Sequence, residues 1–377
     1  MHEYQDDSGS DRLSRRDLLG RAGAAGLALS LPAFARFPLG ASSAAAATTG
    51  STINILTWET YHDDPWLKQA AKDLGFKFNA LRAGSVDEVF AKARAGTVPW
   101  DLFLVDSGSI LRYKSAGLIA PVDASKLPRL KSVNPALPFN KFNRIKGQLW
   151  AVPYNWGTQP LIFDKTQVAA ADRNSWRSLW NPKYKGKMMI PDDAYITLPM
   201  VALAWGINPF NWSDKDFTAI KKKLDALRSQ IRTLTTSFND QENQMSSGES
   251  VIGYAQAYLF VNKYPKLDIS FPQEGTPFWL DNYFFSKSAV SKPDVYKFVN
   301  YSLQPPWQCR FANYTNQNGI LAPAVAKKCF KPAVWKGAGG NLVSRMSPAI
   351  MRKMVLFQAV ENFDRRLKIW NEFKAGI

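Results

Sequence analysis

Between Thr52 and Asp106, apolar runs of strand length alternate with runs of helical period, and this alternation constrains the fold more than any other feature of the chain. Thr52 to Trp58 (TINILTW) reads as a buried strand. Pro65 to Leu74 reads as a helix with proline in its first turn, and Phe76 to Ala80 alternates as a second strand. Ser85-Val86-Asp87-Glu88 has the form of a capping box opening a helix to about Ala95. Leu102 to Val105 is a third apolar run, ending in Asp106-Ser107-Gly108-Ser109. Strands and helices at this spacing predict βαβ units and a largely parallel sheet, whose ligands sit beyond the carboxyl ends of the strands. Trp58 to Tyr61 and Asp106 to Ser109 are therefore the first places to look for a ligand.

The middle of the chain repeats the pattern. Gln148 to Pro153 and Pro160 to Asp164 are strand-like, and Tyr154-Asn155-Trp156-Gly157 between them reads as a connection leaving a first lobe. Lys187 to Pro191, Val251 to Ala255 and Phe278 to Phe285 read as further strands, with helices at Ala194 to Trp205 and Asp214 to Leu227. At 377 residues the chain is long enough for two lobes. The expected organisation is a lobe of 51–156 plus 282–326 and a second of 160–279 plus 330–377. From Glu361 to Lys374 an amphipathic stretch carries Phe363, Leu367, Trp370 and Phe373 on one stripe, expected to pack into the core.

Residues 1–46 read as a leader rather than as part of the fold. Ser14-Arg15-Arg16-Asp17-Leu18-Leu19 is a twin-arginine pattern, followed by a mildly apolar run from Ala22 to Leu31 and small-residue cleavage signals. That run is too short to span a bilayer. The expectation is a soluble protein exported to the periplasm by the twin-arginine route. The leader holds five Arg and five acids, so the net charge of +17 belongs to the rest of the chain. Such a charge suits an anionic partner, but export argues against nucleic acid. The densest cluster, Lys221-Lys222-Lys223, lies in a helical stretch and reads as a solvated face. Two His and two Cys leave no basis for a His-rich metal site, a Ser-His-Asp triad or a disulfide scaffold, and no cofactor motif is present.

Five pieces then occur in order: Thr57-Trp58-Glu59-Thr60-Tyr61, Trp150-Ala151-Val152-Pro153-Tyr154-Asn155-Trp156-Gly157, the stretch from Ser175 to Gly186 (SWRSLWNPKYKG), Asp192-Asp193-Ala194, and Phe278-Trp279-Leu280-Asp281. Together they resemble the periplasmic spermidine/putrescine-binding proteins of ABC importers, over about Ile53 to Pro323. The resemblance implies an α/β, two-lobed type II periplasmic-binding-protein fold, each lobe a mixed sheet flanked by helices, joined by hinge crossovers and closing on a solute. It implies a receptor rather than an enzyme, working as a monomer without cofactor or nucleic acid, which delivers a small-molecule amine to an ABC permease in the inner membrane. An alkyl polyamine needs carboxylates for its ammonium groups and aromatic walls for its methylenes. By resemblance Trp58 and Tyr61 form an aromatic wall, Trp279 and Asp281 the strongest amine-binding pair, and Asp193 a clamp from the second lobe. Asp193 also suits the N-cap of the helix that follows it.

Departures from the family pattern bear on the solute. A second acid of the spermidine binders falls on Ile196, an aromatic position falls on Gln256, and a late tyrosine falls on or near Ile320. The residues after the third strand align as Asp106 and Gly108, or as Ser107 and Ser109 with a one-residue shift. Glu59 replaces a small hydroxyl residue. The ligand set thus comprises Trp58, Glu59, Tyr61, Asp106, Ser107, Asp193, Gln256, Trp279 and Asp281, and a cationic amine with a spacing other than spermidine's fits it. An anion or ferric-ion receptor of the same fold is the alternative, with Tyr154, Tyr195 and Tyr254 available. An exported hydrolase is more remote. Cys309 and Cys329 are candidates for one disulfide, with two buried free thiols as the alternative. His62, the last His of the chain, is expected at the cleft rim.

Overall fold

The computed structural model describes residues 50–376 apart from 59, 84, 85, 256–258, 338–340 and 361. The leader and the candidate ligands Glu59 and Gln256 lie outside the described residues. In chain order the strands are β1 (Thr52–Trp58), β2 (Lys77–Ala83), β3 (Leu102–Asp106), β4 (Val152–Thr158), β5 (Leu161–Asp164), β6 (Met188–Pro191), β7 (Ile231–Thr235), β8 (Ile252–Tyr254), β9 (Leu267–Ser270), β10 (Thr276–Phe285) and β11 (Met354–Leu356). The longer helices are α1 (Asp64–Leu74), α2 (Val86–Ala95), α3 (Ala194–Ala204), α4 (Asp214–Arg228), α5 (Phe238–Ser247), α6 (Pro293–Ser302), α7 (Pro305–Thr315) and α8 (Phe363–Lys374).

Two mixed sheets result, beside a two-stranded antiparallel one of Arg144–Ile145 and Gln148–Leu149. The first runs β11-β10-β3-β1-β2, with β4 on the other edge of β10; the second runs β9-β5-β8-β6-β7. In the first, β1 pairs in parallel with β2 and β3, as the alternation at the start of the chain predicts, whereas β10 is antiparallel to both β3 and β4. In the second, β6 is parallel to β7 and β8, and β5 is antiparallel to β8 and β9. Local signals account for the helix ends. Pro65 opens α1 and left-handed Gly75 (φ 73°) closes it, while Ser213 and Asp216 make a reciprocal capping box on α4.

Three expectations need correction. Tyr154 to Gly157 is not a connection: it lies inside β4, buried over all seven residues and paired with β10. An apolar run buried on both faces has no alternation to mark it as a strand. Second, β10 belongs to the first sheet from Thr276 onward and β11 pairs beside it, so the sheets divide the chain differently from the expected limits at 279/282 and 330. Phe330, Val334, Leu342 and Val343 join the core around β1 and β10. Third, Trp370 and Phe373 of α8 are buried against the second lobe, but Phe363 and Leu367 are 36% and 39% exposed. The outer part of the expected stripe faces solvent. Lys221 pairs with Asp225 and Glu372, and Lys223 caps the Trp205 ring at 3.4 Å.

Candidate functional site

Register places the central carboxylate. Asp281 of β10 stands opposite Asp106 of β3 on one side and opposite Asn155 of β4 on the other. Directly opposed residues project from the same face of a sheet, with Cβ atoms about 5 Å apart. The pairing of β10 with β4 shifts by one residue between Asp281 and Asn282, a bulge of the kind that re-aims side chains beside binding sites. Both carboxylates are buried, at 8% and 6% exposure.

Their partners are neutral. Asp281 accepts a 2.7 Å hydrogen bond from the Tyr61 hydroxyl, which in turn accepts from Asn155 Nδ2 at 2.8 Å. Asp106 Oδ1 accepts from the Gly108 amide at 2.7 Å and from the Tyr195 hydroxyl at 3.1 Å, and Oδ2 accepts from Ser109 Oγ at 3.0 Å. Burial drives the Asp281 pKa up from 3.8 to about 7, only partly opposed by the Tyr61 hydrogen bond, and the charge of Asp106 adds to the rise. Asp106 is also raised, chiefly by burial, with its hydrogen bonds opposing the shift. Like charges facing each other across two strands are destabilising unless something positive comes between them. Among the described residues neither carboxylate stands in an ion pair.

Tyr195, in the first turn of α3, brings the second lobe to this face. Its ring stacks on Phe357 at 5.4 Å, and its hydroxyl pKa is raised by burial and then by the charges of Asp106, Asp193 and Asp281. Asp193 caps α3, accepting from the Ile196 amide at 3.1 Å. Its neighbour Asp192 is tied to the C-terminal helix through Trp370 Nε1 at 3.0 Å and Lys374 Nζ at 2.9 Å.

The remaining sequence candidates fall in different environments. Trp279 is half-buried with its ring against Gly157, where a Cβ would come within 2.3 Å of it. Trp58 ends β1 half-buried, its indole Nε1 without a hydrogen-bond partner among the described residues. Tyr61 lies beneath the site at 4% exposure, packed on Tyr154 and Phe311, and meets the face only through its hydroxyl. Ser107 is drawn into a buried amide cluster, donating to Asn143 Oδ1 at 2.7 Å and accepting from Asn282 Nδ2 at 3.1 Å. His62 is not at the rim. It is fully buried between Thr57 Oγ1 (2.9 Å) and the Tyr283 hydroxyl (2.8 Å), and burial drops its pKa to about 3, so it stays neutral. Cys309 and Cys329 are joined in a disulfide.

Asn155 and Gln317 were not among the candidate ligands, and Tyr195 was one only for the ferric-ion alternative. Gln317 bonds Asn155 and donates to Thr60 Oγ1 at 3.1 Å, while Gly319 N donates to Asn155 Oδ1 at 2.8 Å, so one loop from 316 to 319 pins the amide. The three tyrosines of the ferric alternative point to separate partners: Tyr154 to the Tyr61 carbonyl, Tyr195 to Asp106, Tyr254 to Gln159 and the Ile196 carbonyl. Burial raises the pKa of all three hydroxyls.

The Trp279 contact yields a first prediction. Gly157→Ala forces the indole off its position, and affinity for an amine, the solute class expected from the sequence, should fall roughly tenfold, the scale of one cation-π contact. Titration calorimetry of the variant measures this; unchanged affinity would show that the Trp279 ring is not part of the site.

Two lobes, each on its own sheet, with buried acids at their junction define a solute-binding protein. Residues 99–338 match the family of bacterial extracellular solute-binding proteins, and the chain belongs to that family. The chain is 25% identical over 270 residues to the spermidine/putrescine-binding periplasmic protein of Escherichia coli, covering 70% of this chain and 76% of that one. It is 23% identical over 360 residues to the putrescine/agmatine-binding protein of Pseudomonas aeruginosa, covering 90% and 96%. The spermidine/putrescine ABC transporter substrate-binding protein of Streptococcus pneumoniae superposes with a TM-score of 0.74 at 20% identity, over 87% of this chain and 99% of that one. The fold is thus the two-lobed periplasmic-binding fold, and the chain is a solute receptor rather than an enzyme.

Proposed function

We propose that this receptor captures a polyamine or related cationic amine between its two lobes and hands it to an ABC permease, acting as a monomer after export by the twin-arginine route. One observation supports the reading: Asp281 and Asp106 face each other, buried and with no ion-pair partner among the described residues, on the sheet that also carries Trp279 two positions away. An ammonium group supplies the missing charge. Asp281 receives it, Trp279 and Trp58 wall the chain, and Asp193 acts electrostatically from the second lobe while capping α3. Asp106 serves two ends. It offers charge to the amine, and its bond from Tyr195 joins the lobes. Tyr61 and Asn155 orient Asp281, and Ser107 supports the strand ends from behind. The lobes comprise 51–158 with 276–356, and 161–270 with 363–374.

A screen of putrescine, cadaverine, agmatine, spermidine and spermine against refolded, ligand-free protein tests the proposal. One or more amines should raise the melting temperature in a concentration-dependent way. A panel without effect sinks the amine class. A pH series adds a second check. Free Asp281 gains a proton as pH falls through about 7, whereas the amine stays charged, so affinity should drop about tenfold per pH unit below that point. Affinity flat from pH 5 to 8 would remove Asp281 from the contact.

A further inference from the structure

From Val295 to Val360 the chain carries nine Lys or Arg residues and no Asp or Glu, so more than half of the +17 sits on 66 residues. Five of the nine, Lys327, Lys328, Lys331, Lys336 and Arg345, fall on a short stretch folded around two one-turn helices, Pro323–Ala326 and Pro332–Trp335. All five are exposed. The apolar residues of the same stretch point inward: Ala326, Phe330, Val334, Leu342, Val343 and Met346 are buried in the first-lobe core. The stretch is anchored to α7 by the Cys309–Cys329 disulfide, by Asn313 Nδ2 donating to the Cys329 carbonyl at 2.9 Å, and by the Lys331 amide donating to Asn313 Oδ1 at 2.7 Å.

Several cations elsewhere on the chain are held in ion pairs. Lys221 reaches Asp225 and Glu372, Arg232 reaches Glu249 and Lys263 reaches Glu242. Among the described residues, none of the five has an acid within ion-pair distance. Beside them stand two exposed apolar side chains, Val325 at 38% and Tyr314 of α7 at 60%. Exposed, unpaired cations on a stretch anchored by a disulfide, with an exposed valine and tyrosine near it, have the chemistry of a surface that rests on anionic headgroups, where tyrosine rings also settle. We propose that this platform docks the receptor on an anionic lipid surface, independently of what fills the cleft.

Sedimentation of the full chain with vesicles tests it, comparing phosphatidylcholine alone with a mixture containing one quarter phosphatidylglycerol, at low and high salt. Binding should need phosphatidylglycerol and should vanish at high salt. Lys327→Gln/Lys328→Gln/Lys331→Gln should weaken it at least about thirtyfold, given roughly fivefold per charge near the surface. Lys221→Gln/Lys222→Gln/Lys223→Gln removes the same charge elsewhere and should leave it nearly unchanged. An unchanged melting temperature in both variants confirms folding. Equal loss in both variants would reduce the effect to net charge and overturn the proposal. So would binding to neutral vesicles, or no binding to either kind. Retention by immobilised polyglutamate without binding to phosphatidylglycerol vesicles would also overturn it and assign the platform to an acidic protein.

Discussion

Asp281→Asn is expected to weaken amine binding more than a hundredfold while making the ligand-free protein more stable above pH 7. The binding loss follows from removing one member of a buried charge pair, which costs about 3 kcal/mol or more. The stability gain follows from linkage. A carboxyl whose folded pKa lies above its unfolded value binds more protons when folded, so stability falls as pH rises from about 4 to about 7, and the deficit is complete above that window. A rise from 3.8 to about 7 sets an upper bound of roughly 4 kcal/mol on that deficit. Asn keeps an acceptor for the Tyr61 hydroxyl and carries no charge to desolvate. Thermal melts of wild type and variant at pH 5 and pH 8 would show the curves diverging with pH. Equal pH dependence in the two would mean that Asp281 does not ionise in this range.

Breaking the Cys309–Cys329 bridge is expected to destabilise the protein by about 3 kcal/mol, from the entropy of a chain loop closed by a sequence separation of 20. For a chain of this size that lowers the melting temperature by roughly 4 °C. Cys309→Ser/Cys329→Ser should show the loss with and without reductant, whereas wild type should show it only with reductant. An unchanged melting temperature in the double variant would mean that Asn313, bonded to both Cys329 and Lys331, holds the platform by itself.

The first βαβ units were legible because each element has a clear period and a marked end, as in Pro65 to Gly75 for α1. Of β1 to β11, three strands were missed entirely: β7 and β9, the two edges of the second sheet, and the three-residue β11 at the end of the first. Only the first and last residues of β7 and the first of β9 are buried, so neither presents a regular alternation. β4 failed for the opposite reason, since continuous burial erases the period. At the site, Asp281, Trp279, Asp193 and Asp106 could be singled out because motifs or strand ends carry them. Asn155 and Gln317 could not, and Tyr195 was singled out only as a tyrosine of the ferric-ion alternative. Tyr195 meets Asp106 across 89 positions and Asn155 meets Gln317 across 162, contacts set by crossovers between sheets. His62 looked exposed because a turn follows β1, but the chain folds back at Thr60 (φ 69°) and buries the imidazole under Tyr154.

The +17 charge suggests an anionic ligand only while it is counted over the whole chain. Resolved by position, nine positive charges unopposed in sequence fall between Val295 and Val360, five of them on the platform after α7, while Asp106 and Asp281 stand buried opposite each other on β3 and β10. With screening over about 8 Å in physiological salt, the nearby acids dominate what the cleft senses.

Titration calorimetry of refolded protein with putrescine and spermidine at pH 8, run side by side with Asp281→Asn, tests the central claim most directly. Saturable one-to-one binding of at least one amine by wild type, lost in the variant, is the predicted result. Amine binding of equal strength in both proteins, or none in either, would contradict it.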